Sequence, residues 1–392
     1  MKYDFDQIIE RRHTYSMKYD LAAYGKTPDT LPMWVADMDF KSPPCVEQAL
    51  VEQSRHGIYG YSESDAAYFS ALQSWFKRRH NWQIEPEWLI KTPGVVNAIY
   101  IALLAITAPG EGVLIQQPVY QCFAAAIQKT GRRIVVNELV YEDVSYRIDF
   151  TDFEHKIVEQ GVKVFILCNP HNPVGRVWKR EELTRMGDIC LKHGVTVIAD
   201  EIHQDFVYPG HKHLVFTELD PCYNDMTITC TAPSKTFNLA GLSLANIFIP
   251  NDAIREKFEG SYEKMGLSHV NVMGIAACRA AYESGEEWLE QLLDYLAGNM
   301  LFINEFLRKR LSLIRLVKPE STYVAWLDFR SLGLSANDLE SLITDKARLW
   351  LNSGYIFGAG GAGFQRMNAA CPRSLLELAM ERLAKACDGS DF

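Results

Sequence analysis

The sequence predicts an α/β fold: a large domain with a mostly parallel sheet between helices, plus a smaller α/β domain. Three observations carry that prediction. Short apolar runs of strand length, Val162–Cys168 among them, alternate with stretches of helical periodicity. The runs are largely apolar, as in strands covered on both faces. Turn-forming clusters such as Asn169-Pro170-His171-Asn172-Pro173 follow the runs directly. A chain of 392 residues suits about two domains. The expected division is residues 1–45 as an N-terminal segment of the smaller domain, 46–285 as the larger domain and 286–392 as the smaller C-terminal domain.

The elements follow in order. Ser42-Pro43-Pro44 opens a helix through 46–55, because proline lacks only an N–H that the first turn leaves unpaired anyway. Gly57-Ile58-Tyr59-Gly60-Tyr61 is a turn, and 64–79 is a helix with aromatic and apolar residues on one face. Residues 88–92 form a strand. Pro93-Gly94-Val95-Val96-Asn97 then opens an apolar helix over 97–107. Further strands are expected at 112–116, 133–137, Val162–Cys168, 195–199 and 226–230, and helices at 122–130, 151–160 and Arg180–His193. Residues 252–310 read as helices, including a long amphipathic one over 286–309. The smaller region has strands near 315–317, 323–328 and 349–351 and a helix over 336–346. The glycine-rich 354–363 precedes a strand-like run, not a helix, so it reads as a mobile loop and not as a nucleotide loop. Pro372-Arg373 starts the final helix.

Composition narrows the function. A net charge of −9 without any long basic run argues against nucleic acid and against an anionic membrane surface. The chain starts on charged residues with no signal-peptide core. Its longest apolar run, 98–108, is well short of the roughly 20 residues that span a membrane. The nine cysteines are scattered and contain no Cys-x-x-Cys pair, as expected of reduced thiols, with the cytoplasm the simplest compartment. His203, His211, His213 and Cys222 match no common metal-ligand spacing, so no metal is expected.

Tyr120, Asn172, Asp200 and Lys235 each fall just after a strand. Ligands of open α/β sheets bind beyond the carboxyl ends of strands, so the four are expected to converge. Lys235 is either a loop lysine or a desolvated amine able to act as a nucleophile. Gly94 at a strand-to-helix turn leaves free N–H groups suited to a phosphate, although most such turns bind nothing. Arg366, inside an apolar run, needs an anion, whether a ligand or a structural carboxylate. Asp37 and Asp39 read as caps or ion-pair partners.

Taken together, Asn169-Pro-x-Asn172-Pro-x-Gly175, Asp200-Glu-Ile-His203, Ser234-Lys235-Thr-Phe-Asn238 and Arg366 before the last helix resemble the fold-type I pyridoxal-phosphate enzymes of the class I/II aminotransferase superfamily. The match spans nearly the whole chain. Within that superfamily the chain is most similar to the cystathionine β-lyase branch of C–S lyases. The features are Val35-Ala-Asp-Met-Asp-Phe40, Gly57-x-Tyr-Gly-Tyr61, Ser321-Thr-Tyr-Val-Ala-Trp-Leu-Asp328 and Arg366-Met-Asn-Ala-Ala-Cys-Pro-Arg373. Amino-acid aminotransferases usually carry an arginine a little beyond the lysine to hold the cofactor phosphate; here Leu242-Ser243-Leu244 stands there.

The resemblance implies a role for each candidate. Lys235 would hold pyridoxal phosphate as a Schiff base and later take the substrate's Cα proton. Asp200 would pair with the pyridine nitrogen, and Asn172 would donate to the cofactor's 3′ oxygen. Tyr120 would stack on the ring and His203 would line it. Gly94, Val95, Val96 and Ser234 would hold the phosphate. Tyr61 would reach that phosphate from a second subunit, which implies a homodimer with shared sites. Arg366, beside Asn172, would clamp the carboxylate of a small amino-acid thioether. The implied activity is β-elimination. An aminotransferase, and a lyase that also binds a transcription factor, are the alternatives.

Overall fold

The computed structural model describes residues 2–267 and 269–389. Seven strands form its main sheet: β1 (Leu89–Thr92), β2 (Gly112–Gln117), β3 (Arg133–Glu138), β4 (Val162–Cys168), β5 (Thr196–Asp200), β6 (Thr227–Thr231) and β7 (Ala245–Phe248). Their order is β1-β7-β6-β5-β4-β2-β3. From β6 to β3 all neighbours are parallel, while β7 runs antiparallel to both β1 and β6.

The helices are α1 (Pro44–His56), α2 (Ala66–His80), α3 (Val95–Ile106), α4 (Gln121–Lys129), α5 (Phe150–Glu159), α6 (Arg180–His193), α7 (Asp252–Lys264), α8 (Val272–Ser284), α9 (Glu286–Arg310) and α10 (Arg373–Asp388). Strand side chains alternate between two apolar faces. Val113, Ile115, Ile166 and Ile198 point to a core shared with α3, α4 and α7. Leu114, Phe165, Leu167 and Val197 point to one shared with α5 and α6. Burial on both sides is why the central strands read as largely apolar runs.

A second, antiparallel sheet has the order β8-β9-β11-β10, from β8 (Arg315–Leu316), β9 (Val324–Asp328), β10 (Asn352–Ser353) and β11 (Phe364–Asn368). Trp326 of β9 and Phe364 of β11 stack at 5.1 Å and belong to the α5/α6 core, so the second sheet is packed onto the first. A buried aromatic at such a joint resists truncation by about 3–5 kcal/mol. Leu31–Pro32 pairs in parallel with Leu349–Trp350, tying the N-terminal segment to the C-terminal region.

Elements expected from periodicity lie within about two residues of their expected ends. Four differences stand out. β7 was not expected: it is four residues long and follows a glycine- and serine-rich turn. The hairpin Val140–Glu142 with Ser145–Arg147 was also missed, its turn being made by Asp143 and Val144 at positive φ. The expected helix 336–346 is α-helical only over Ala336–Ser341 and finishes as a π turn, Leu342–Lys346. The glycine-rich segment expected as a mobile loop is folded into two 3-10 turns, Gly354–Phe357 and Ala359–Gly361. A Cβ on Gly361 would lie 2.0 Å from the Gly354 carbonyl, and one on Gly358 would meet the Gln117 side chain at 2.3 Å. Close packing, not freedom to move, accounts for glycine at those two positions.

Asp37 and Asp39 are ion-paired, as expected. Arg11 reaches Asp37 at 2.7 Å and Asp39 at 2.6 Å, and buried Lys18 reaches Asp39 at 2.8 Å. Among the described residues no helix is long and apolar enough to cross a membrane.

Candidate active site

The carboxyl ends of β1, β2, β4, β5 and β6 open onto one cavity of about 310 Å³. Gly94, Val95, Val96, Tyr120, Asn172, Asp200, His203, Ser234, Lys235 and Arg366 all line it. Parallel strands bring them together, since each lies at the end of its strand (Asp200) or in the connection after it, except Arg366, which comes from the middle of β11. Tyr61 does not line the cavity; it is 95% exposed, beside His269.

Lys235 sits on a four-residue helix, Pro233–Thr236, after β6. Its Nζ donates to the Ala36 carbonyl at 2.7 Å. Burial, and then the charge of Arg366, push the amine down to about 8, against the pull of Asp37 and Asp200. The turn is anchored from below, where Thr236 donates to fully buried Asp205 at 2.7 Å and His80 Nε2 meets the same carboxylate at 2.9 Å.

Asp200 ends β5 and is buried. Burial raises its carboxyl to about 7, although it accepts from the Ile202 N–H at 3.1 Å. His203 is pushed down to about 3 by burial, then by Lys235 and Arg366, so its ring is neutral; its Nδ1 has no partner. Burial also raises the Tyr120 phenol. Gly94 precedes α3, whose first turn has no side-chain cap, and a Cβ there would meet no atom within 4 Å. The N-terminus of α3, with its free N–H groups and positive dipole end, therefore borders open cavity.

Arg366 is held by neutral groups alone. It donates to Asn172 Oδ1 at 3.1 Å, Asn352 Oδ1 at 2.6 Å and the Trp34 carbonyl at 3.0 Å. Its plane lies over Phe357, and its Nε is buried without a partner. Among the described residues no carboxylate pairs with it, and burial pulls it down to about 10. A buried guanidinium without a counter-ion is costly unless an anion fills the place. The cavity thus holds two cations and one carboxylate that itself tends to neutrality, a charge balance that suits anionic ligands.

Several site groups were not found from sequence. Asn352 faces Arg366 across β10 and β11. Residues 34–36 line the cavity, and the segment 34–40 has its backbone fixed: Asn368 donates to the Val35 and Asp37 carbonyls, and Asn238 to those of Met38 and Phe40. Ser243, just before β7, lines the cavity where the expected arginine is missing. Because β7 is antiparallel, its start and not its end meets the site. Among the described residues no group of three or more His, Cys, Asp or Glu side chains could hold a metal, and His213 is paired with Glu201 at 3.1 Å.

Parallel strands whose exits carry a buried lysine and a buried carboxylate, beside an open helix N-terminus, give the fold of the fold-type I, aminotransferase-like enzymes. The chain belongs to the aminotransferase class I and II family, which residues 29–383 match. Cystathionine β-lyase PatB from Bacillus subtilis (strain 168) is 43% identical over 385 residues, covering 98% of this chain and 99% of its own. The solved structure of cystalysin from Treponema denticola, which contains pyridoxal 5′-phosphate, superposes with a TM-score of 0.96 at 38% identity and 99% coverage of both chains. A pyridoxal-phosphate-bound C–S lyase from Staphylococcus hominis gives 0.92 at 32% identity over 98% of each.

Proposed function

We propose that the protein is a pyridoxal-phosphate-dependent C–S β-lyase. Its substrate is L-cystathionine or a related cysteine S-conjugate, cleaved to a thiol (homocysteine from cystathionine), pyruvate and ammonia. The observation that carries this reading is the near full-length similarity to a relative named cystathionine β-lyase, in a chain whose cavity fits both cofactor and substrate.

The fit rests on the donor set. The α3 N-terminus at Gly94, Val95 and Val96, with Ser234, offers N–H and hydroxyl groups to the phosphate. Asp200 would pair with the ring nitrogen; a cation there would return its carboxyl to the ionised form. Tyr120 and His203 would flank the ring, and Asn172 would meet its hydroxyl oxygen; all three line the cavity. When bound, pyridoxal phosphate supplies an electron sink for charge that builds at the substrate's Cα.

Lys235 would hold the cofactor through its amine, which a bound substrate would set free. The freed amine then takes the Cα proton, which its low basicity near neutrality permits. Arg366 fixes the α-carboxylate, with Asn172 and Asn352 holding the guanidinium in place. The C–S bond breaks, and the β-sulfur leaves as thiolate with the bonding pair and takes up a proton. The three-carbon enamine that remains is converted by water to pyruvate and ammonia, and the Lys235 amine would again be available to hold the cofactor.

Two predictions attach here. Arg366→Ala is expected to raise KM about 100-fold with a smaller loss in kcat, since two charge-assisted hydrogen bonds are lost. An unchanged KM in steady-state kinetics would move the carboxylate clamp elsewhere. Reloading the stripped protein needs the neutral amine, whose fraction grows with pH up to its pKa. The reloading rate is therefore expected to rise about tenfold per unit from pH 6 and level off above about 8. A rate independent of pH across that window would contradict the shift.

The same reading assigns 46–285 to the cofactor-holding domain and 1–45 with 286–392 to the smaller one. It also takes the protein as a homodimer. Tyr61 stands exposed beside Ile58 and Tyr59, an apolar tip suited to reach a partner's phosphate site. All nine cysteines are free thiols, in keeping with a reducing compartment such as the cytoplasm. β-Chloro-L-alanine tests the chemistry apart from thioether recognition. Pyruvate release with no keto acid present supports β-elimination, and its absence opposes it.

A further inference from the structure

Two donors meet on one backbone oxygen. The Ala36 carbonyl accepts from Lys235 Nζ at 2.7 Å and from Tyr323 Oη at 2.9 Å. The Tyr323 ring is fully buried, edge-on to His203 and to Phe206. The carbonyl has little freedom to follow either donor. Its neighbours are pinned, Trp34 by Arg366 at 3.0 Å and Val35 by Asn368 at 2.6 Å.

A carbonyl that accepts from an ammonium stabilises the protonated amine. A second donor on the same oxygen draws on the same electron density and turns the positive end of its O–H dipole toward the ammonium. The protonated lysine is then held less firmly and gives its proton back more readily. We propose that Tyr323 is a positioning residue that sets the basicity of Lys235 through the shared Ala36 carbonyl. This rests on the reading of Lys235 as the proton-carrying amine.

Other groups act on the same amine. Asp200 from β5, Arg366 from β11, Asp37 from the 34–40 segment and Cys122 from α4 face Lys235. Asp37, Arg366 and Tyr120 face Tyr323. A variant lacking only the Tyr323 hydroxyl leaves all of them in place.

The test is the pH dependence of Lys235 acetylation in the full-length, cofactor-free protein, using limiting acetic anhydride and mass spectrometry. The native amine is expected to titrate near 8. Tyr323→Phe is expected to raise that midpoint by roughly half a unit to one unit, which is about 3- to 10-fold less reactive amine at pH 7. The acidic limb of kcat in the holoenzyme, which reports the amine once substrate has freed it, shifts the same way. A second hydroxyl-free variant, Tyr323→Leu, moves the midpoint in the same direction. An unmoved or lowered midpoint overturns the proposal, as does a uniform loss of turnover with the acidic limb in place. The labelling does not depend on which reaction is catalysed. Absent lyase activity with a raised midpoint would overturn the lyase reading alone; lyase activity with an unmoved midpoint would overturn the role of Tyr323 alone.

Discussion

Lys235→Ala is expected to fold normally and to lose turnover by about 10⁴-fold or more, together with the visible absorbance of the lysine-bound cofactor. The fold survives because the side chain removed is a buried amine whose charge burial already disfavours. Its acceptor, the Ala36 carbonyl, keeps Tyr323 as a donor. The turn stays anchored by Thr236 on Asp205, so the backbone at 235 has no cause to move. Catalysis does not survive, because one nitrogen both carries the cofactor and takes the Cα proton. Among the described residues no second amine lines the cavity to replace it. Thermal unfolding, the visible spectrum and turnover check this together. Retained absorbance and turnover would remove Lys235 from the centre of the site.

Asp200→Asn is expected to be the next most damaging change, lowering kcat by about 10²- to 10⁴-fold at unaltered fold. The amide keeps the shape of the side chain and its bond from the Ile202 N–H, but cannot hold a proton on a ring nitrogen. The variant also has a signature without cofactor. The Asp200 carboxyl is raised to about 7, above its ordinary value of 3.8, by burial. The native chain then keeps a proton that the unfolded chain has lost. The stability this gives is complete below about pH 4 and is lost as the pH rises through about 7. Asparagine has no such proton. Denaturant unfolding of the cofactor-free protein should therefore fall less between pH 5 and 8 in the variant than in the native chain. Equal pH slopes would mean that Asp200 is ionised in the cavity already.

Much of this site is written in local sequence. A strand buried on both faces must be largely apolar, so Val162–Cys168, with exposed Lys163 its one charged residue, announces itself, and the polar residues that follow it are placed at the mouth of the sheet. That logic found Tyr120, Asn172, Asp200 and Lys235. It could not find groups whose role depends on long-range pairing. Asn352 is one polar residue in a short edge strand, and only its register opposite Arg366 gives it meaning. The backbone oxygens of Trp34 and Ala36 have no side-chain signature at all. Nothing in the sequence around Tyr323 places its hydroxyl on the oxygen that Lys235 uses. β7 escaped because four residues are too few for a period, and its antiparallel direction breaks the strand–helix alternation. The glycines at 354–361 suggested motion because sequence reports a missing Cβ but not the atoms that would collide with one.

The most direct measurement of the central claim is the yield of thiol and pyruvate from L-cystathionine, with purified holoenzyme and no keto acid. β-Elimination predicts homocysteine, pyruvate and ammonia in equal amounts, continuing over many turnovers. No thiol release, with a new amino acid appearing only once a keto acid is added, would contradict it and make the protein an aminotransferase built on the same site.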